Sequence, residues 1–357
     1  MKKTILYGLT VAFLFGGCQE RTIPIADNAI QPVFITERTP HDTDDPAFWI
    51  HPEDPTKSLI IGTDKEVGGG LYVYNLEGKI VNSFTDMQRP NNVDVAYALN
   101  INGIKTDIAV TTERKANVIR IFSLPELTPI DNGGIPIFEG ETGKEERDGM
   151  GIALYTKQID SVTTEIYAVV GRKTGPSGSY LWQYKLSGNQ DGTVTGEVVR
   201  KFGIYSGKKE IEAIAVDNEL GYVYYSDETV GVRKYYADPA KGNEELAFFA
   251  QQDAKRDHEG IAIYKKDNET GYILVSNQQQ NSFLVYKREG ESDNPHAHTL
   301  IAEFPVSTME CDGADATHLN LGPNFPEGVF VAMSNGNVFH IYDWRTVQEW
   351  IDNNGAI

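Results

Sequence analysis

Carboxylate and amide side chains open a recurring pattern along this chain. The openings are Asp45-Pro46-Ala47-Phe48-Trp49, Asn92-Val93-Asp94-Val95-Ala96, Met150-Gly151-Ile152-Ala153-Leu154, Glu212-Ala213-Ile214-Ala215-Val216, Glu259-Gly260-Ile261-Ala262-Ile263 and Asp312-Gly313-Ala314-Asp315-Ala316. Further acids flank them at Asp42, Asp44, Asp257 and Glu310. Brought to one surface, such carboxylates would repel and raise each other's pKa unless cations came between them. Hard oxygen ligands in this number suit Ca²⁺, which takes six to eight of them in flexible geometry. Any one of these acids has an ordinary alternative, capping a strand or an Asx turn. Recurrence at equivalent positions favours a shared cation site.

The repeat also says what must position these residues. The openings fall at 45, 92, 150, 212, 259 and 312, spaced by 47, 58, 62, 47 and 53 residues. Each is followed by a second strand, and then by a third carrying an aromatic: Tyr74, Phe122, Tyr184, Tyr235, Tyr286 or Tyr342. Short strands rich in Val, Ile, Tyr and Phe between Gly, Asn and Asp turns, recurring six times, predict an all-β six-bladed β-propeller. The innermost strand of a blade lines the central channel, so the residue that opens it should stand on the rim of one mouth. Only Asp343–Asn353 reads as a helix, and Gly68-Gly69-Gly70 reads as a hairpin turn with no helix after it.

Composition narrows the partners. The chain has 357 residues, 40% of them hydrophobic, with 32 basic against 51 acidic side chains for a net charge of −19. A core of that size is sufficient for folding, and such acidity argues against nucleic acid or an anionic membrane face as partner. Met1-Lys2-Lys3, the apolar run Ile5 to Phe15 and the small pair Gly16-Gly17 before Cys18 have the layout of an export signal of lipoprotein type. The expected organisation is a signal over 1–17, a lipidated Cys18 opening an N-terminal arm over 18–40, and one propeller over 41–357. The protein is then an outer-membrane or cell-surface lipoprotein, otherwise periplasmic or extracellular, touching membrane only through that anchor and acting as a monomer. Cys311, between Glu310 and Asp312, is expected as a buried, unreactive thiol.

From Asp42 to Trp344 the chain resembles the β-propeller phytases, calcium-dependent phosphatases acting on myo-inositol hexakisphosphate. The resemblance lies in Asp42-Thr43-Asp44-Asp45-Pro46-Ala47-Phe48-Trp49, Asn91-Asn92-Val93-Asp94, Glu212-Ala213-Ile214-Ala215 and Arg256-Asp257-His258-Glu259-Gly260-Ile261. It continues in Ser276-Asn277-Gln278, Asn281-Ser282 and Cys311-Asp312-Gly313. It implies several Ca²⁺ ions held by Asp42, Asp44, Asp45, Glu212, Asp257, Glu259, Gln278 and Asp312, to which the repeat adds Asn92, Asp94 and Asp315. Glu212, Glu259 and Asp312 would be the catalytic carboxylates. Lys65, Arg114 and Arg172, with Arg256 assisting, would hold substrate phosphates. Bound Ca²⁺ would invert the local field for an inositol phosphate and activate a shared water for in-line attack, without a covalent phosphoenzyme. The chain departs from the family at Lys65-Glu66, where Lys-Lys is common, at Met150, where a Tyr is, and at Ala96, where an Arg is. These departures touch the phosphate contacts rather than the calcium ring.

Other phosphatase chemistries lack their residues. No Arg-His-Gly pair is present, and the residue six positions after Cys311 is Thr317 rather than Arg. Neither a Gly-x-Ser-x-Gly elbow nor a P-loop occurs. Two alternatives stand beside the phosphatase: a calcium-dependent lactonase or esterase on the same six-bladed plan, and a non-enzymatic lipoprotein whose propeller binds a partner. The first needs one Ca²⁺ and few cations, and the second predicts exposed rim aromatics.

Overall fold

The computed structural model describes residues 23–355. Six antiparallel sheets succeed one another along the chain and close into a ring, a six-bladed β-propeller. The inner strands are Thr43–Trp49, Pro90–Ile101, Gly149–Gln158, Ile214–Asp217, His258–Lys265 and Ala314–Thr317. Each packs beside the inner strands before and after it, and the first meets the last. Blades one to five run from inner to outer strand in sequence order. The sixth takes its outermost strand from Phe34–Ile35, in the segment expected as an arm, paired to Ile341 and His340.

The core lies between blades. The six aromatics of the third strands, Tyr74, Phe122, Tyr184, Tyr235, Tyr286 and Tyr342, are all buried, wedged between one sheet and the next. β-branched and aromatic residues dominate these strands because both faces of each sheet are covered, so the strands read as apolar runs rather than alternations. The one α-helix among the described residues is Trp344–Asn354, begun by Asp343, whose side chain accepts from the Arg345 amide. Cys311 is buried and free.

Inner strands begin irregularly. In blades one, two, three and five the ladder slips at the first turn, between Thr43 and Pro46, Pro90 and Val93, Gly149 and Ile152, and His258 and Ile261. Such bulges leave residues out of the ladder and re-aim their side chains. They also set a requirement for small residues. A Cβ on Gly151 would lie 1.8 Å from the Glu212 carbonyl of the next blade, and one on Gly313 would lie 2.5 Å from the Asp44 carbonyl. Adjacent blades touch backbone to backbone at these two places, so the position after the mouth residue stays glycine there, whereas blades one and two carry Asp45 and Asn92 at it.

Candidate active site

Three positions per blade lie at the mouth where the inner strands begin. The first bulge residues are Asp44, Asn91, Met150 and Glu259, and Glu212 and Asp312 hold the equivalent places before the inner strands of blades four and six. Two residues earlier stand Asp42, Arg89, Asp148, Glu210, Asp257 and Glu310. At the end of the second strand stand Lys65, Arg114, Lys173, Glu228, Gln278 and Asn335. The last two sets are knit by backbone bonds: Lys65 N to Asp42 O at 2.8 Å, Arg114 N to Arg89 O at 2.9 Å, Lys173 N to Asp148 O at 2.9 Å and Gln278 N to Asp257 O at 3.4 Å. Cations hold the hairpin position in blades one to three, acids and amides in blades four to six.

The carboxylates crowd around two ammonium groups. Lys65 Nζ lies 2.8 Å from Asp44 Oδ1, 2.6 Å from Asp312 Oδ2 and 3.7 Å from Asp42 Oδ2. Lys209 Nζ lies 2.5 Å from Glu228 Oε2, 3.3 Å from Asp257 Oδ2 and 3.8 Å from Glu259 Oε1. Amides bridge the rest. Asn91 Nδ2 donates to Asp44 Oδ2 at 2.8 Å and also to Glu212 Oε1. Gln278 Nε2 donates to Asp312 Oδ1 at 2.6 Å, and Gln279 Nε2 to Asp257 Oδ2 at 2.9 Å.

Charge is in excess despite these partners. Burial, with Asp44 next in weight, pushes Glu212 up to about 8, and burial pushes Glu228 up to about 7. Glu259 rises well above the carboxylate range through burial and the Glu228, Asp312 and Glu212 charges. Asp312 and Asp42 are raised mainly by burial. Burial alone would lower Lys65, but the Asp44, Asp312 and Glu212 charges outweigh it and hold the ammonium firmly protonated.

The donor set fits a hard cation. Each of the rim positions of blades four to six carries a side-chain oxygen, Asp257 Oδ1 is buried without a hydrogen-bond partner, and single carboxylate oxygens of Glu210, Glu212 and Glu228 lie within 4.8 Å of one another. Those are the donors and the spacing that a Ca²⁺ ion uses. A family model described as Phytase matches residues 23–353. The chain belongs to the phytase family. A 3-phytase of Bacillus subtilis (strain 168) is 32% identical over 330 residues, 86% of this chain and 80% of that protein. A solved β-propeller domain, Cps50 (Swd1) of Myceliophteria thermophila, aligns at 11% identity with a TM-score of 0.49, over 84% of this chain and 83% of that one. At that distance the likeness carries no argument.

In this phytase the expected site residues divide into three groups. Asp42, Asp44, Glu212, Asp257, Glu259, Gln278, Asp312 and Lys65 stand together at the mouth. Arg114 reaches it from blade two, its guanidinium against the Met150 sulfur and its Nε buried without a partner. Asp45, Asn92, Asp94 and Asp315 are set deeper. Asp45 accepts the Val93 amide at 3.1 Å, Asp94 the Leu154 amide at 2.7 Å and Asp315 the Phe48 amide at 2.9 Å, so each carboxylate staples its blade to the next inside the channel. Asn92 is buried and accepts from Asn91 Nδ2 at 3.0 Å. In blades one and two the residue that faces the mouth is thus Asp44 or Asn91, one position before the expected opening.

The expected cations separate similarly. Arg172 is wholly buried, donating to Ser179 O at 2.9 Å and Glu146 O at 3.3 Å and paired with Glu141 at 3.2 Å. Its neighbour Lys173 is the blade-three cation at the mouth, bonded to Glu210. Arg256 is largely exposed, with its Nε 3.9 Å from Asp257 Oδ1. Asn91, Lys173, Lys209, Glu210, Glu228 and Gln279 complete the mouth without having been expected. The missing signal was the register of the second strand: Lys65 and Arg114 each follow the residue that pairs near the start of the inner strand, and the same offset gives Lys173 and Glu228.

Proposed function

We propose that this phytase removes phosphate from myo-inositol hexakisphosphate by direct attack of water at the acidic mouth, with several Ca²⁺ ions held by Asp42, Asp44, Glu210, Glu212, Glu228, Asp257, Glu259, Gln278 and Asp312. The observation that carries this reading is the concentration of buried carboxylates facing one mouth, with Glu212, Glu228 and Glu259 pushed up and Asp257 Oδ1 left without a hydrogen-bond partner. When bound, Ca²⁺ would supply the positive charge that lets so acidic a surface accept a polyanion and would acidify water beside it.

The chain's own residues have separable tasks. Asn91 fixes one oxygen of Glu212 and one of Asp44 by donating to both, which leaves the other Glu212 oxygen for an ion or for the proton released as water attacks. Arg114 and Lys173 face the acidic half from blades two and three and would grip the phosphates that are not reacting, Arg114 through two parallel bonds. Lys65 lies between the halves and would pass from Asp44 and Asp312 to a phosphate oxygen once cations replace it on the acids. Neither the thiol nor the imidazole near the mouth is placed to carry a covalent phosphoryl group. Cys311 is buried, and burial pushes its thiol far up. The His258 ring is buried and its Nε2 lies 2.6 Å from the Ala250 carbonyl.

The test is phosphate release from phytate by residues 19–357, stripped with chelator and titrated with Ca²⁺, beside Glu212→Ala. Activity that returns with Ca²⁺ and is missing from the variant supports the reading. No release at any Ca²⁺ concentration overturns it, and lactones and simple phosphate esters become the next substrates. Export with a lipid on Cys18, and action as a monomer, belong to the same proposal. Cys18 and the leader lie outside the described residues, and mass analysis of the cell-derived protein decides the lipid.

A further inference from the structure

Lys209 has no task in the reading above, yet its ammonium occupies the middle of a carboxylate group assigned there to metal. The side chains of Glu228, Asp257 and Glu259 are 2%, 5% and 6% exposed, whereas that of Lys209 is 35% exposed. The acids are fixed in the wall and the lysine closes over them from the solvent side. Its loop is built to allow this. Ser206 anchors the base, donating from its amide to Asp227 Oδ2 at 3.0 Å and from its hydroxyl to Asp227 Oδ1 at 2.6 Å. Gly207 follows with φ of +75° and open space around it, a position where the chain can pivot without a side chain in the way.

We propose that Lys209 is a built-in competitor for Ca²⁺ at the Glu228–Asp257–Glu259 group, so that an ion loads there only by displacing the ammonium. The proposal rests on the calcium reading and adds to it an internal cation that sets how much Ca²⁺ the site requires. A lysine tethered one loop away is always present at high effective concentration, and its seated fraction lowers the apparent affinity for any ion that needs the same oxygens. It also keeps three buried acids from facing one another uncompensated when Ca²⁺ is scarce. Lys65 plays the matching part against Asp44 and Asp312 on the other side of the ring, so the metal-free mouth is closed by two ammonium groups.

Calorimetric titration of chelator-stripped residues 19–357 with Ca²⁺ tests this, comparing the native chain with Lys209→Met, which keeps the stem and removes the charge, and with Lys209→Arg, which keeps a charge. Lys209→Met should tighten the weakest ion by about tenfold or more, or add one ion to the count, while Lys209→Arg stays close to native. Equal stoichiometry and affinity in the native chain and Lys209→Met overturn the proposal. Absence of Ca²⁺ binding in both chains overturns the calcium reading and this inference with it. Binding in Lys209→Met alone supports competition in its strongest form. Thermal melts of the metal-free variants confirm that each is folded before titration.

Discussion

The two mouths of the channel treat their acids in opposite ways. At the lower mouth Asp217 and Glu219 are matched by cations. Buried Arg288 forks onto Asp217 with two contacts of 2.6 Å and reaches Glu219 at 3.0 Å, and Lys265 lies 2.7 Å from Glu219. Despite burial, Lys265 and Arg288 hold Glu219 below the ordinary carboxylate range. At the upper mouth the acids outnumber their partners and are pushed up instead, Glu212 to about 8 and Glu228 to about 7. The same residue types thus serve as mortar at one end and stand unmatched at the other. What separates them is whether a fixed guanidinium or only a movable ammonium stands within reach.

Single substitutions should divide the mouths in kind. Glu212→Ala is expected to lower the rate of phosphate release from phytate on the order of 10³-fold while the protein stays folded. Arg288→Ala should do the reverse: it strands Asp217, destabilises by about 3–5 kcal/mol in a denaturant melt, and leaves the rate per folded molecule near native. Comparable activity losses in both variants would erase the distinction.

The pH dependence of stability should also differ in sign. Glu212, Glu228, Asp94 and Asp315 keep their protons up to about 8, 7, 7 and 6 because burial disfavours their charged forms. Their folded pKa values lie above the unfolded values near 4, so the folded chain holds more protons across that window. The stability they give the metal-free protein is full in acid and is lost progressively as pH rises from about 4 to about 8. Melting temperature in chelator should therefore fall between pH 5.5 and 8, and saturating Ca²⁺ should shrink that fall by taking the place of the protons. Glu219 contributes the other way, with stability present near neutrality and lost as pH falls below the usual carboxylate range. A metal-free melting temperature that climbs steadily from pH 5.5 to 8 would contradict the upper-mouth picture.

Smaller effects should grade the cations. Lys173→Met is expected to raise KM for phytate several-fold, on the order of 1 kcal/mol, with kcat less affected. Arg256→Met should change either constant by no more than about twofold, because a largely exposed side chain 3.9 Å from its acid is a weak pair. A larger loss from Arg256→Met than from Lys173→Met would reverse the ranking drawn from the mouth geometry.

Most of the fold was legible because it repeats. The six openings, the buried third-strand aromatics and the final helix all follow from local patterns that packing reinforces. The site was legible where motif and register coincide, at Glu212, Glu259 and Asp312. It was misaligned by one residue at Asp45 and Asn92 because a bulge, which turns Asp44 and Asn91 outward, leaves no mark in the alternation of residue types. Arg172 and Lys173 are adjacent cations, and only the end of the second strand decides which one faces the mouth. Glu228 sits in the hairpin after a second strand and Lys209 in the connection between blades three and four, both outside the repeated openings. The pairing of Phe34–Ile35 with His340 and Ile341 joins segments from opposite ends of the chain, which no local pattern reveals.

That last pairing also orders events during synthesis. The strand formed by Phe34 and Ile35 leaves the ribosome before the first five blades, and its partner only after them. Blades one to five hold local, sequential contacts and can form as they emerge, but the circle cannot shut until residues 338–343 arrive. The final step is therefore a slow, long-range closure, and a chain truncated before those residues would be an open arc with unpaired strand edges at both ends rather than a smaller version of the same enzyme.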